Sequence, residues 1–141
     1  MSEKGLTYLI KALTVVIKEY SLKDISLKLV GDGPQLSSLL KMVRKFDLNK
    51  HVRFLGSRGR KEVANMLARS SIFVFPSLRE GMPLSVLEAM SCGLPVISSR
   101  VIGLKNLVVN GYNGLIVPPK DSDALAKAII QLLNDSKLRN K

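Results

Sequence analysis

Tryptophan is absent, and aromatic residues make up only 5% of the 141-residue chain. Any core must therefore be aliphatic, built from Leu, Ile and Val. A single cysteine, Cys92, excludes an internal disulfide and a cysteine-based metal site. It is expected to be a small buried residue. No apolar run reaches the length that spans a bilayer, and Met1-Ser2-Glu3-Lys4-Gly5 lacks the apolar stretch of a signal peptide. A cytoplasmic location fits these absences. No run of five basic residues occurs, and Arg58, Arg60 and Lys61 form the densest cluster. No metal-ligand cluster is visible. Asp121 and Asp123 read as helix-start residues, and His51, the sole histidine, as a strand-edge residue without a catalytic role.

What is present suits one globular domain: 46% hydrophobic and 23% charged residues in 141. The formal charge of +11 favours an anionic partner, such as nucleic acid, phospholipid headgroups or a phosphorylated small molecule. Phe46, Phe54, Phe73 and Phe75 sit in apolar contexts and do not interleave with basic residues, as a base-stacking platform requires. No specific nucleic-acid partner is therefore expected. Attraction to an anionic membrane surface, peripheral at its inner face, stays open.

Helical and strand periods alternate along the chain. Leu6, Leu9, Ile10, Leu13, Val16 and Ile17 recur at helical spacing, and Ser26–Val30 reads as a strand stopped by Gly31-Asp32-Gly33-Pro34. A helix from about Gln35 to Phe46, a strand over His51–Leu55 and a helix over Arg60–Arg69 follow. Ile72-Phe73-Val74-Phe75 is wholly apolar, suited to the centre of a parallel sheet. Pro83–Ser91 reads as a helix with Pro at its first position. Pro95–Ser98 and Leu115–Val117 read as strands, the second after a Gly111-Tyr112-Asn113-Gly114 turn. Asp121 opens a last helix carrying Leu125, Ile129 and Leu132. The alternation predicts an α/β domain with a parallel sheet flanked by helices. Such domains usually open with a strand, and this pattern opens with a helix. A first strand upstream of Met1 is expected to be missing.

Ligands of such sheets bind beyond the carboxyl ends of the strands. Three loops should lie there: Gly31–Pro34, Pro76–Pro83 and Ser98–Gly103. The segment Pro76-Ser77-Leu78-Arg79-Glu80-Gly81-Met82-Pro83-Leu84-Ser85-Val86-Leu87-Glu88-Ala89-Met90 places one carboxylate in a loop and another on the following helix. Glu88 should share a helix face with Leu84, Ser85, Ser91 and Cys92, leaving Val86, Leu87 and Met90 toward the core. A helix N-terminus favours phosphate, and Gly81 lets the backbone approach a ligand closely. Glu88 can accept hydrogen bonds from a ribose diol and Glu80 from sugar hydroxyls. Two glutamates eight apart are, alone, far more readily a loop residue that caps the helix and a solvated helix residue; the surrounding residues shift the balance here. Gly31–Pro34 alone is equally a tight turn, and it lacks the Gly-Lys-Ser/Thr ending of a P-loop.

The segment resembles the E-x₇-E signature of glycosyltransferase family 4, the glycosyl transferases group 1. The resemblance covers nearly the whole chain in order. It takes in Ser2-Glu3-Lys4-Gly5-Leu6, Leu29-Val30-Gly31-Asp32-Gly33-Pro34, Val52-Arg53-Phe54-Leu55-Gly56, Phe75-Pro76-Ser77, Glu80-Gly81 and Glu88-Ala89-Met90. It continues through Gly93-Leu94-Pro95-Val96 and Gly111–Val117.

The resemblance implies a Rossmann-like domain forming the C-terminal, nucleotide-sugar-binding half of a GT-B fold, with residues 1–141 as one domain. It implies retaining transfer of a sugar, of hexosyltransferase type, from a UDP-, GDP- or ADP-sugar to an acceptor hydroxyl, with no metal and no cofactor. Glu80 would be the catalytic-site carboxylate contacting the donor sugar. Lys4 would neutralise the diphosphate, and backbone amides of Gly81, Met82, Leu84 and Ser85 would hold sugar hydroxyls or phosphate. Glu88 would bind the ribose, and backbone groups near Arg53 the base. Gly31 and Gly33 would belong to the same donor site. The acceptor site would come from an absent N-terminal domain or a partner subunit, so the isolated chain is expected to be inactive.

Two departures stand out. The family's Gly-Arg before the E-K-G segment lies outside the sequence. Its Gly-x-Pro-Glu is replaced by Gly103-Leu104-Lys105-Asn106, so acceptor-side contacts of that loop are not carried over. Rival readings are a nucleotide-sugar-binding module without transfer activity and a basic α/β domain that binds nucleic acid.

Overall fold

The computed structural model describes residues 5–21, 24–30, 36–76, 84–100 and 107–134. The element order is α1 (Leu6–Lys18), β1 (Leu27–Val30), α2 (Leu36–Lys45), β2 (Val52–Gly56), α3 (Arg60–Ala68), β3 (Phe73–Phe75), α4 (Leu84–Ser91), β4 (Val96–Ser99), β5 (Gly114–Val117) and α5 (Ser122–Asn134). Every element expected from periodicity forms, with ends moved by at most one residue.

Among the described residues all strand pairs are parallel, and the strands fall into two groups. β1 pairs with β2 in one, and β3, β4 and β5 lie in that order in the other. Helices cover both faces. Leu9, Ala12 and Val16 of α1 and Leu125, Ala126 and Ile129 of α5 pack on Ile97 and Leu115, with Leu27, Leu29 and Val74 beside them. On the same face Ile10, Leu13 and Ile17 of α1 meet Leu39 and Val43 of α2. The opposite face is closed by Leu67 of α3 and by Val86 and Ala89 of α4, against Val96, Phe73 and Phe75. Alternate residues of β3 thus meet helices on opposite sides, which is why the strand is wholly apolar. β3 nonetheless pairs with β4 alone among the described residues, so it borders a gap and does not sit at the centre of a continuous sheet.

Local chemistry sets several boundaries. Asp121 Oδ1 accepts the Ala124 backbone N–H at 2.9 Å and caps α5, as its position before the apolar repeat suggests. His51 Nδ1 lies 3.0 Å from the Ile25 carbonyl, tying the approach to β2 onto the approach to β1. The Gly111–Gly114 turn is fixed by Asn113, whose Oδ1 accepts from Val109 N at 2.7 Å and whose Nδ2 donates to Leu107 O at 3.0 Å. Gly111 adopts φ 84, in the left-handed region that glycine tolerates best.

Two expectations are corrected. Leu87 is exposed (36%), whereas Val86 and Ala89 are fully buried, because α4 meets the sheet along the line of Val86 and Ala89 and Leu87 lies off it. Cys92 is exposed, because α4 ends at Ser91 and the next turn runs over the surface.

Candidate functional site

A parallel sheet gathers the loop after each strand on one rim. Here α2 starts just after β1, α3 after β2 and α4 after β3, so their N-termini cluster beyond the carboxyl ends of the strands. A cavity of about 770 Å³ runs between β1 and β3. Its lining includes Val30 and Leu36 around the end of β1, Phe54 of β2, Pro76 just after β3, and Glu88 of α4.

Glu88 is the fifth residue of α4 and half-buried. Its neighbour Ala89 anchors the helix to the core, which leaves the carboxylate on the cavity wall. No described ion pair involves it, since Arg58–Glu62 at 3.2 Å is the one described salt bridge. A carboxylate so placed retains its acceptor capacity for hydroxyl groups of a ligand. Leu84 and Ser85 open the same helix, with backbone N–H groups in its first turn, which have no partner within the helix.

Arg53 is exposed on β2 and does not share this cavity. It lines a separate hollow of about 330 Å³ with Lys28, Arg58 and Glu62, on the α3 side of the sheet. Lys28 is its register partner on β1, so two cations stand side by side across the parallel pair. Phe54, next along β2, contributes to the Glu88 cavity.

Sequence reasoning did not single out Ser98. It is 1% exposed on β4, beside Phe75 of β3, and its Oγ has no hydrogen-bond partner. Only its place one residue before the end of a buried strand signalled it. Lys4, Gly31, Gly33, Glu80, Gly81 and Met82 lie outside the described residues. No group of three or more potential metal ligands occurs among the described residues, and no described helix is long and apolar enough to cross a membrane.

Parallel strands with helices on both faces define a Rossmann-like α/β domain. Residues 1–141 match the model of the glycosyl transferases group 1, and the chain belongs to that family. It is 35% identical over 137 residues to an uncharacterized glycosyltransferase of Methanocaldococcus jannaschii, covering 97% of this chain and 37% of that protein. It is 36% identical over 136 residues to the Escherichia coli UDP-Gal:alpha-D-GlcNAc-diphosphoundecaprenol alpha-1,3-galactosyltransferase, covering 96% of this chain and 35% of the relative. The chain thus spans about a third of the length of these relatives. Among solved structures, Anabaena HepE in complex with UDP-glucose superposes with a TM-score of 0.89 at 28% identity, over 99% of this chain and 38% of that one. The C-terminal domain of a glycosyl transferase group 1 family protein from Francisella tularensis gives 0.87 at 29% identity, over 100% of this chain and 74% of that one. The fold is that of the C-terminal half of a GT-B glycosyltransferase.

Proposed function

We propose that this chain is the donor-binding half of a retaining glycosyltransferase and takes a nucleoside-diphosphate sugar at the rim beside Glu88. The observation that carries the reading is the half-buried Glu88 on the cavity wall, on the helix that follows β3. Glu88 accepts hydrogen bonds from the ribose diol, and the α4 N-terminus with the Gly81–Ser85 amides and Lys4 bears the diphosphate charge. Glu80 contacts the transferred sugar, Gly31 and Gly33 border the donor, and backbone groups near Arg53 meet the base. That a solved neighbour is a complex with UDP-glucose supports a nucleotide-sugar donor.

In the reaction, the acceptor hydroxyl oxygen bonds to the anomeric carbon as the bond from that carbon to the diphosphate oxygen breaks. The hydroxyl proton passes to the departing diphosphate, on the face the donor phosphate occupies, so configuration is retained. The protein's share is positioning and charge stabilisation at the leaving group. An N-terminal domain, in the same chain or in a partner, holds the acceptor. The +11 charge suits work beside an anionic membrane surface.

Thermal unfolding with a panel of UDP-, GDP- and ADP-sugars at millimolar concentration tests the reading. A ligand that binds only the native state raises the melting temperature. Absence of any shift, together with unchanged amide resonances, would overturn it.

A further inference from the structure

We propose that the outer face of α1 and α2 is a docking surface for an anionic phospholipid bilayer, which leaves the rim beside Glu88 free. The inference rests on the proposed function only for the membrane as neighbour; donor binding plays no part in it. α1 and α2 lie side by side on one face of the sheet, with Ile10, Leu13 and Ile17 meeting Leu39 and Val43. What those contacts turn outward is basic. Lys11 and Lys18 are exposed on one stripe of α1, and Lys41, Arg44 and Lys45 are exposed on α2. Neither helix contains an acidic residue. None of these cations enters a described ion pair, since Arg58–Glu62 is the one described salt bridge. Lys18, Arg44 and Lys45 fall in last turns, where the helix dipole favours cations. Lys11 and Lys41 stand before those turns, so the dipole does not account for the pattern.

The occupant follows from shape and from what accompanies the charge. Two adjacent helices offer a broad face, whereas duplex nucleic acid is read by an element that enters a groove, and single strands by stacked rings. Aromatic rings here sit beside the lysines. Lys11 Nζ is 5.8 Å from the Tyr8 ring centre and Lys45 Nζ 5.9 Å from that of Phe46, and both rings are half-buried. Such pairs suit a bilayer interface, where Lys stems lie along apolar surface and amphipathic rings such as tyrosine settle at headgroup level. The patch also has an edge. α5, on the other side of α1, exposes Asp123, Lys127, Gln131 and Asn134, whose charges cancel. α3 and α4 close the opposite face of the sheet, so a bilayer against α1 and α2 does not cover Glu88.

The test is co-sedimentation with vesicles of phosphatidylcholine, alone or mixed with phosphatidylglycerol. The chain should bind the mixed vesicles and not the neutral ones. Each basic side chain that reaches an anionic surface strengthens binding about fivefold, so Lys11→Gln, Lys41→Gln and Arg44→Gln combined should weaken it about a hundredfold. The same loss of charge placed elsewhere, by Arg60→Gln, Lys61→Gln and Lys120→Gln at exposed positions, should cost far less. Both variants should keep the wild-type dichroism spectrum. Any rise in melting temperature that a sugar nucleotide causes in the wild-type chain should persist in both, so docking and donor binding are read separately. Absence of binding to the anionic vesicles would overturn the proposal. So would equal losses in the two variants, which would assign the attraction to net charge instead of to this face. Displacement from vesicles by random duplex DNA, with a DNA affinity that the first variant alone loses, would give the face to nucleic acid and likewise overturn it.

Discussion

Gly114 on β5 lies so close to Val96 on β4 that a Cβ built on it would meet the Val96 carbonyl, with the carbonyl carbon at 2.9 Å. The last glycine of the Gly111-Tyr112-Asn113-Gly114 turn is therefore a packing requirement between two strands. Replacement by Ala must push β5 away from β4, at the register where Val96 pairs with residue 114. Gly114→Ala should destabilise the fold by about 1–3 kcal/mol, the usual range for overpacking. Urea unfolding measures this, and an unchanged midpoint would show that the strands separate freely.

Asn113→Ala removes two hydrogen bonds that hold the same turn, to Val109 N and Leu107 O. Each such bond contributes about 0.5–1.5 kcal/mol, so a loss of about 1–3 kcal/mol is expected. Asn113→Asp keeps the acceptor and loses the donor, and should fall between the two. Equilibrium denaturation of the three proteins gives the order.

Glu88→Ala should weaken sugar-nucleotide binding while leaving the dichroism spectrum and melting temperature of the free protein near wild type. Glu88 is only half-buried, and no described hydrogen bond or ion pair depends on its side chain. A hydrogen bond to a charged group contributes about 1.5–3 kcal/mol, or about 10- to 150-fold in Kd. Isothermal titration reads the difference, and equal affinities would reduce Glu88 to a wall residue.

Lys28→Glu should stabilise the chain. Lys28 stands opposite Arg53 across the parallel β1–β2 pair, and both are exposed. Exchanging like charges for opposite ones is worth about 0.2–1 kcal/mol at a cross-strand position. The gain should shrink as salt rises, because exposed charges are screened. Unfolding at low and high salt separates this from a propensity effect.

The 141-residue chain alone should release nucleoside diphosphate only at background rate when offered lipid or sugar acceptors. Holding the acceptor hydroxyl in attack geometry can supply about 7–11 kcal/mol of barrier reduction, and one Rossmann-like domain forms a single wall of the cleft. Mixing with, or fusion to, an acceptor-binding domain should restore turnover. Robust acceptor-dependent release by the verified monomer would show that one domain builds a complete site.

The alternation of periods made the layers legible before any coordinates. Ile72–Phe75 could be read as an inner strand because both faces of β3 meet helices, although its residues are only half-buried, and Leu125, Ile129 and Leu132 marked the buried side of α5. Hydrophobicity alone misplaced Leu87, since a short helix touching the core along one line leaves apolar residues outside. Ser98 escaped notice because a serine in a strand carries no periodic signal. The separation of Arg53 from Glu88 depends on which face each strand residue takes, and that is set by long-range register. Of the residues singled out at the donor site, Glu88, Arg53, Leu84 and Ser85 fall within the described residues.

The first and last helices among the described residues, α1 and α5, lie against each other, with Leu9, Ala12 and Val16 meeting Ala126, Ile129 and Leu132. A nascent polypeptide emerging from the ribosome therefore holds the α5-facing part of α1 uncovered until about a hundred further residues have been made, since α1 ends at Lys18 and α5 begins at Ser122. Contacts so distant along the chain slow folding, because the loop between them must close before they form. Ribosome-stalled intermediates ending before Ser122 should bind chaperones and resist compaction, and release past Asn134 should be the moment at which the domain snaps shut.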